Sequence, residues 1–480
     1  MTYQKGVIYM FEKYLNKDEL IKNLQELIKI PSVHSESNNV NEPFGENTVK
    51  ALEYTLNLGK KLGFKTKNID GYCGYIEFGE GPELIGIVGH LDVVPEGENW
   101  TYPPFEAHIE NNKIYGRGAI DDKGPVMASL YAMKAVMDYC SENNISINKR
   151  VRLILGLNEE RDWKCIKYYK EHEKIPFIGF SPDADFPCIY AEKGLLSPFL
   201  IMDYSNYKNK DIVLSDINCN NNPLNVVPKY CSCTISVKNN IDIDNVISFV
   251  RSVINEPSFK IDIEILNNNQ IKLISRGVQA HAAHPDLGIN AITNLIIILD
   301  KLFKNYDIVI PLFGLFTQYI GLDYNGNKLG INVPDESGEL TLNVGKFYFK
   351  GDELKIGFNL RVPINTTFEF IANKITEVSK NYSDVHCELG DKMNPLYVPK
   401  DSYLVKTLCK IYNDVTNSNA EPIAIGGATY ARAFDNFVSF GANLPGQKDM
   451  CHQTDEFISI DNLMLACKIY CTAIYELLTN

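Results

Sequence analysis

A short apolar run at residues 84–88 ends in Gly89-His90-Leu91-Asp92. A run of that length reads as a buried strand, and it hands His90 and Asp92 to the strand's C-terminal end. A second stretch answers it. Gly116-Arg117-Gly118-Ala119-Ile120-Asp121-Asp122-Lys123-Gly124 sets two adjacent acids in a glycine-rich turn, and Pro125 suits the first turn of a following helix. An imidazole and carboxylates converging on one rim are what a hydrolytic metal centre needs. Such a rim requires a sheet whose strand ends meet these loops.

The flanking pattern supplies one. Apolar residues recur at helical spacing over 11–30 and again over 47–62, and strand-like pieces follow at 65–69 and 72–78. Residues 107–115 form a candidate hairpin around Asn111-Asn112, and a helix is expected over 125–139. The next buried strand, 151–157, runs into Asn158-Glu159-Glu160. After a helix reaching residue 172, a strand at 177–180 runs into Ser181-Pro182-Asp183. This alternation predicts an α/β fold, a mostly parallel mixed sheet flanked by helices. Every acid of interest follows a strand, where open α/β sheets place their sites.

Past Gly194 the texture changes. Strand patterns at 229–237, 261–265 and 271–275 and a hairpin over 342–362 are accompanied by helices near 246–254 and 290–303, while 314–338 reads as loop. Helical periodicity returns at residue 401 and closes the chain over 460–478. The expected architecture is a catalytic domain from residues 1–194 and 387–480, interrupted at 195–386 by an inserted α+β domain containing antiparallel sheet. At 480 residues the chain is too long for one ordinary core.

The formal charge of -13 disfavours nucleic acid or an anionic membrane as partner. Twelve scattered cysteines with no CxxC pair read as reduced, mostly buried thiols. The N-terminus lacks a secretory apolar region, and the strongest apolar run, 295–299, is far too short to cross a bilayer. A cytoplasmic protein is expected.

A centre holding two ions needs a bridging carboxylate, further ligands for each ion and a base. Imidazole and carboxylate donors suit zinc, manganese or cobalt. Asp92, two residues beyond His90, points the same way in a strand extension and could orient the imidazole. Each residue also has a plain structural reading. His90 could be a satisfied structural histidine, the Asp121-Asp122 pair a helix-capping turn, Glu159-Glu160 a solvated pair and Asp183 a turn residue.

Taken together, the stretches Gly89-His90-Leu91-Asp92-Val93-Val94-Pro95, 100–105, 115–125, Asn158-Glu159-Glu160, Ser181-Pro182-Asp183-Ala184, Ala280-His281, 426–433 and His452-Gln453 resemble the metallopeptidases that include aminoacylases, carnosinases and dipeptidase V-like enzymes. The chain is similar to the dipeptidase V branch in Phe180-Ser181-Pro182-Asp183-Ala184, Asn225-Val226-Val227-Pro228 and Thr429-Tyr430-Ala431-Arg432. The resemblance implies two divalent metal ions, zinc first, with manganese or cobalt as alternatives. His90 and Asp183 would hold one ion, Glu160 and His452 the other, and Asp121, rather than Asp122, would bridge both, with a cis peptide expected there. Asp92 would steady His90, and Glu159 would be the general base. In the inserted domain His281 would stabilise the oxyanion, Arg361 and Asn225 would contact substrate, and Gly426 and Gly427 would let backbone approach it. For Arg361 a surface salt bridge is a comparable alternative.

Three positions depart from the family pattern: Ala428 for a third glycine, His284 close after His281, and Cys451 beside His452. The implied activity is a dipeptidase acting on small peptides as a monomer, with the insert as a closing lid. A related N-acyl amino acid deacylase or desuccinylase would use the same centre.

Overall fold

The computed structural model describes residues 10–254 and 259–480. The N-terminal segment read above as lacking a secretory apolar region lies, up to Tyr9, outside them. The chain divides into two compact units. One is built from the chain up to Ala191 together with Leu396–Ile423 and Ala428–Asn480, the other from Glu192–Pro395 with Ala424–Gly427.

The first unit is organised by a mixed sheet. At its centre Lys149–Gly156, Glu83–His90, Ile178–Ser181 and Phe437–Ser439 run parallel in that order. Cys73–Gly79 and Lys65–Ile69 extend it antiparallel at one side. Residues Leu84 to His90 are buried throughout. Their unbroken apolar run is what a parallel strand covered on both faces requires. Helix Lys123–Glu142 is buried along most of its length and packs against Glu83–His90, Lys149–Gly156 and the C-terminal helix Ile460–Thr479. The three central strands therefore present their C-terminal ends together, at His90, at Asn158 beyond Gly156, and at Asp183 beyond Ser181.

Local chemistry explains several boundaries. Helical periodicity over 11–30 is interrupted: a 3-10 turn covers Glu12–Tyr14, and the α-helix spans only Lys17–Ile28 because Asn16 caps it by accepting from the Glu19 amide. Asn111 and Asn112, at φ 49 and 60, join His108–Glu110 to Lys113–Tyr115 in the two-residue hairpin that consecutive left-handed residues allow. All twelve cysteines are free, with Cys387 and Cys451 the ones not fully buried.

The second unit contains two antiparallel sheets. In one, Glu353–Val362 pairs with Thr341–Lys350, Phe199–Asp203 and Gly194–Leu196. In the other the order is Ile212–Asn218, Tyr230–Val237, Gln270–Arg276 and Lys260–Asn267. The chain remains in this unit to Pro395 rather than leaving it after residue 386, because Val385–Glu388 and Lys392–Met393 add strands to Phe199–Asp203 and Gly194–Leu196. The stretch expected as loop over 314–338 opens inside helix Pro311–Tyr319, whose apolar face is buried and whose proline sits at the start, where a missing amide hydrogen costs nothing. Among the described residues no helix is long and apolar enough to cross a membrane.

Helix Lys123–Glu142 should dominate the stability of the first unit. Truncating its fully buried Leu130 to Ala is expected to cost about 2–5 kcal/mol, whereas Asn16→Ala at a surface cap should cost about 1 kcal/mol. Denaturant midpoints of the two variants check this; equal costs would mean that the helix is not the core element.

Candidate metal centre

Gly89 has no Cβ because one would meet the Asp122 carboxylate at 2.4 Å and Val126 at 2.6 Å. That approach lets Asp122 Oδ2 accept from the His90 amide at 3.1 Å. Asp122 begins helix Lys123–Glu142 but makes no side-chain cap there, so its carboxylate ties the turn to the strand end instead of capping. The Asp121–Asp122 peptide is cis.

The His90 ring is fully buried and its Nδ1 lies 2.9 Å from the backbone carbonyl of Asp92, which fixes the tautomer with Nδ1 as donor. In the neutral ring Nε2 then carries the lone pair. That atom stands 3.0 Å from Asp121 Oδ1 and 3.5 Å from Asp183 Oδ2, yet neither oxygen meets it with hydrogen-bond geometry. The other Asp121 oxygen, Oδ2, lies 3.0 Å from His452 Nε2, which is also 3.0 Å from Glu160 Oε1. The two oxygens of one carboxylate thus face two different imidazoles.

These spacings suit metal ligands. Two bonds of about 2.0–2.2 Å meeting at tetrahedral or octahedral angles separate their donor atoms by roughly 3.0–3.5 Å. Donor atoms of His90, Asp121 and Glu160 all fall within 4.8 Å of one another. Electrostatics agrees. Burial pushes the Asp183 and Glu160 carboxyls up. Burial would raise Asp121 too, but His452 and His90 hold it below the usual carboxylate range. Asp121 and Glu160 in turn raise His452 to about 11. So much negative charge around two imidazoles is the environment a divalent cation neutralises.

Asp92 does more than face His90. Its Oδ1 is 3.6 Å from Nδ1, while Oδ1 and Oδ2 accept from the amides of Glu159 and Glu160 at 3.1 and 3.2 Å. It therefore fixes the loop that carries both glutamates. Trp163, in the left-handed region at φ 58, donates from its indole to the Glu159 carbonyl and packs edge-on to Tyr430, whose ring also stands edge-on to His90. Glu159 is partly exposed, and burial of its carboxyl pushes it well above the usual carboxylate range.

His281, Asn225, Arg361, Gly426 and Gly427 belong to the second unit. Val226 and His281 form a bridge, and the Asn225 carbonyl accepts from the Ala282 amide. His281 is exposed, and its Nδ1 takes the Ala283 amide at 3.4 Å, leaving Nε2 as the protonated nitrogen of the neutral ring. Arg361 is 4% exposed, so it lies below the surface. Its Nε donates to Asn359 and its Nη1 to the Gly426 carbonyl at 2.7 Å. Gly426 could not carry a side chain without pressing on Ala283, 3.0 Å from an added Cβ. Of the three departures, His284 is exposed ahead of a short 3-10 turn, and Ala428 and Cys451 are half-buried.

Arg117 and Glu456 escaped the sequence reading. Both are buried and ion-paired at 2.7 Å, directly behind Asp121. The signals were there: an arginine inside the glycine-rich turn and an acid closely following His452.

Residues 86–476 match the description of peptidase family M20/M25/M40. YtjP of Bacillus subtilis, named provisionally as a dipeptidase, is 40% identical over 467 residues, covering 96% of this chain and 97% of its own. A provisionally named dipeptidase of Staphylococcus epidermidis is 35% identical over 477 residues, covering 97% and 98%. In structure the chain is similar to human carnosine dipeptidase 1, with a TM-score of 0.58 at 14% identity and 99% coverage of both chains. A tripeptidase from Staphylococcus aureus gives 0.56 at 15% identity, covering 97% of this chain and 100% of its own. The two structural likenesses speak to the fold. With a family match over most of its length and full-length relatives at this identity, the chain belongs to peptidase family M20/M25/M40 and is a hydrolase of the metallopeptidase class.

Proposed function

We propose that the protein is a cytoplasmic, monomeric dipeptidase whose centre holds two divalent ions, zinc first, with manganese or cobalt as alternatives. The observation that carries the reading is Asp121, each of whose carboxylate oxygens lies 3.0 Å from a different imidazole. That is the disposition of a bridge, with His90 and Asp183 on one side and Glu160 and His452 on the other. Relatives named as dipeptidases along nearly the whole chain support the substrate class.

Two divalent ions in such a centre supply Lewis acidity and a water acidified toward neutral pH. The protein's own groups do the rest. Glu159, with a carboxyl raised by burial, takes a proton from the attacking water and returns it to the leaving amine. Asp92 holds Glu159 and Glu160 in place through their amides. His281 offers Nε2–H to the developing oxyanion. Arg361, steadied by Asn359 and the Gly426 carbonyl, receives the substrate carboxylate, with Asn225 and the backbone at Gly427 as further contacts. The second unit acts as a lid that excludes water on closing.

Three measurements bear on this. Zinc- or manganese-reconstituted protein should turn over free dipeptides and leave N-acetyl and N-succinyl amino acids uncut; the reverse preference makes it a deacylase of the same family. Glu159→Gln should keep its metal content and lose about 10²–10⁴-fold in kcat, and substantial residual turnover would remove Glu159 as the base. His281→Ala should lower kcat by about 10²–10³-fold with metal content unchanged; loss of metal would instead make His281 a ligand.

A further inference from the structure

Glu456 is fully buried at the end of the segment that carries His452. Its carboxylate accepts from four N–H groups. Oε2 takes Arg117 Nη1 at 2.7 Å and the Gly118 amide at 3.1 Å, and Oε1 takes the Ile120 and Asp121 amides at 3.0 and 3.2 Å. Its own carbonyl accepts from the Gly116 amide at 2.9 Å. The loop can aim these amides at one point because Gly118 turns through φ +87, where a side chain would be strained and its Cβ would press on Val93 at 2.9 Å. The result is an anion held in a nest of main-chain donors.

Arg117 completes the device. Besides Glu456, its guanidinium donates to the Gln453 carbonyl at 3.3 Å, the Glu96 carbonyl at 3.2 Å and the Pro95 carbonyl at 3.4 Å. The pair thus ties three separate segments together: 95–96, beyond His90 and Asp92; 116–121, ending in Asp121; and 452–456. No regular element carries His452, which sits in the left-handed region at φ 62 with its side chain half exposed. Its placement therefore depends on what anchors the segment after it.

We infer that Glu456, with Arg117 as its counter-ion, is a positioning residue of the metal centre: it sets the distance between Asp121 and His452 and so determines affinity for the ion held on the Glu160 and His452 side. The inference rests on the two-ion reading of this centre. Glu456 touches neither ion nor substrate. It acts through the Asp121 amide and through the backbone leading to His452. Outer-shell partners of this kind shift metal affinity about 10–100-fold when removed.

The test is zinc titration of the metal-free full-length chain by calorimetry, with metal content after dialysis. Glu456→Gln keeps the shape but replaces one acceptor oxygen with an amide nitrogen that opposes either Arg117 and the Gly118 amide or the Ile120 and Asp121 amides. In the folded variant, binding of one zinc should be unchanged and binding of the second weakened at least tenfold. Arg117→Lys keeps the positive charge and loses the fork to the carbonyls of 95, 96 and 453; it should weaken the same ion. A core variant such as Leu130→Ala, with comparable loss of thermal stability, should bind both ions as the native chain does, which separates positioning from stability. Native affinity for both ions in Glu456→Gln overturns the inference. If that variant does not fold, native affinity in Arg117→Lys overturns it. Fewer than two zinc ions bound by the native chain overturns the two-ion reading itself, and the inference with it.

Discussion

Mutual repulsion among buried and half-buried acids is the constraint around which the first unit is built. Asp92, Asp121, Asp122, Glu160, Asp183 and Glu456 crowd the ends of three parallel strands together with Glu159. Burying a carboxylate is expensive unless something compensates each one. The protein divides them into two groups. Asp92 is satisfied by the amides of Glu159 and Glu160, Asp122 accepts the His90 amide, and Glu456 has the loop amides and Arg117. Asp121, Asp183 and Glu160 instead face the two imidazoles. The acids bonded to main-chain donors, Asp122 through one oxygen only, are scaffold, and those turned toward histidine nitrogens are the ones that suit a cation.

This division explains why the strand ends were legible in the sequence and the rest was not. A buried parallel strand has a recognisable apolar run, so His90, Glu159, Glu160 and Asp183 could each be placed just past one. Asp121 was visible as an acid in a glycine-rich turn, but nothing in spacing separated it from Asp122; their different partners in space do. His452 has no regular element to announce it, and only family resemblance singled it out. Glu456 and Arg117 were hidden for a related reason. Their value lies in meeting one another across most of the chain, and neither local periodicity nor charge pattern reports a long-range contact.

The second unit shows the same limit from another side. Its antiparallel strands alternate plainly, but the boundary at 386 fell short because Val385–Glu388 and Lys392–Met393 are short edge strands with little pattern of their own. Helix Pro311–Tyr319 runs into the stretch 314–338 that reads as loop in the sequence. Burial of its apolar face overrode propensity, as tertiary packing commonly does. For Arg361 a surface ion pair is nearly as good a reading of the sequence. In the structure it is buried, with Asn359 and the Gly426 carbonyl among its partners.

Pre-positioning is the thread connecting both units. A ligand or base on a loop is only as well placed as the loop, and loops lack the hydrogen-bond ladders that fix strands and helices. Each critical loop here borrows its rigidity from a buried charged side chain. Asp92 grips the Glu159-Glu160 loop from a strand end, Glu456 grips the Asp121 loop from the far end of the sequence, and Arg361 grips the Gly426 loop from a strand. Charged groups suit this work because hydrogen bonds to an ionised partner are roughly twice as strong as neutral ones. A neutral replacement of similar shape could still fill the space; it would not hold several main-chain groups converged on one point.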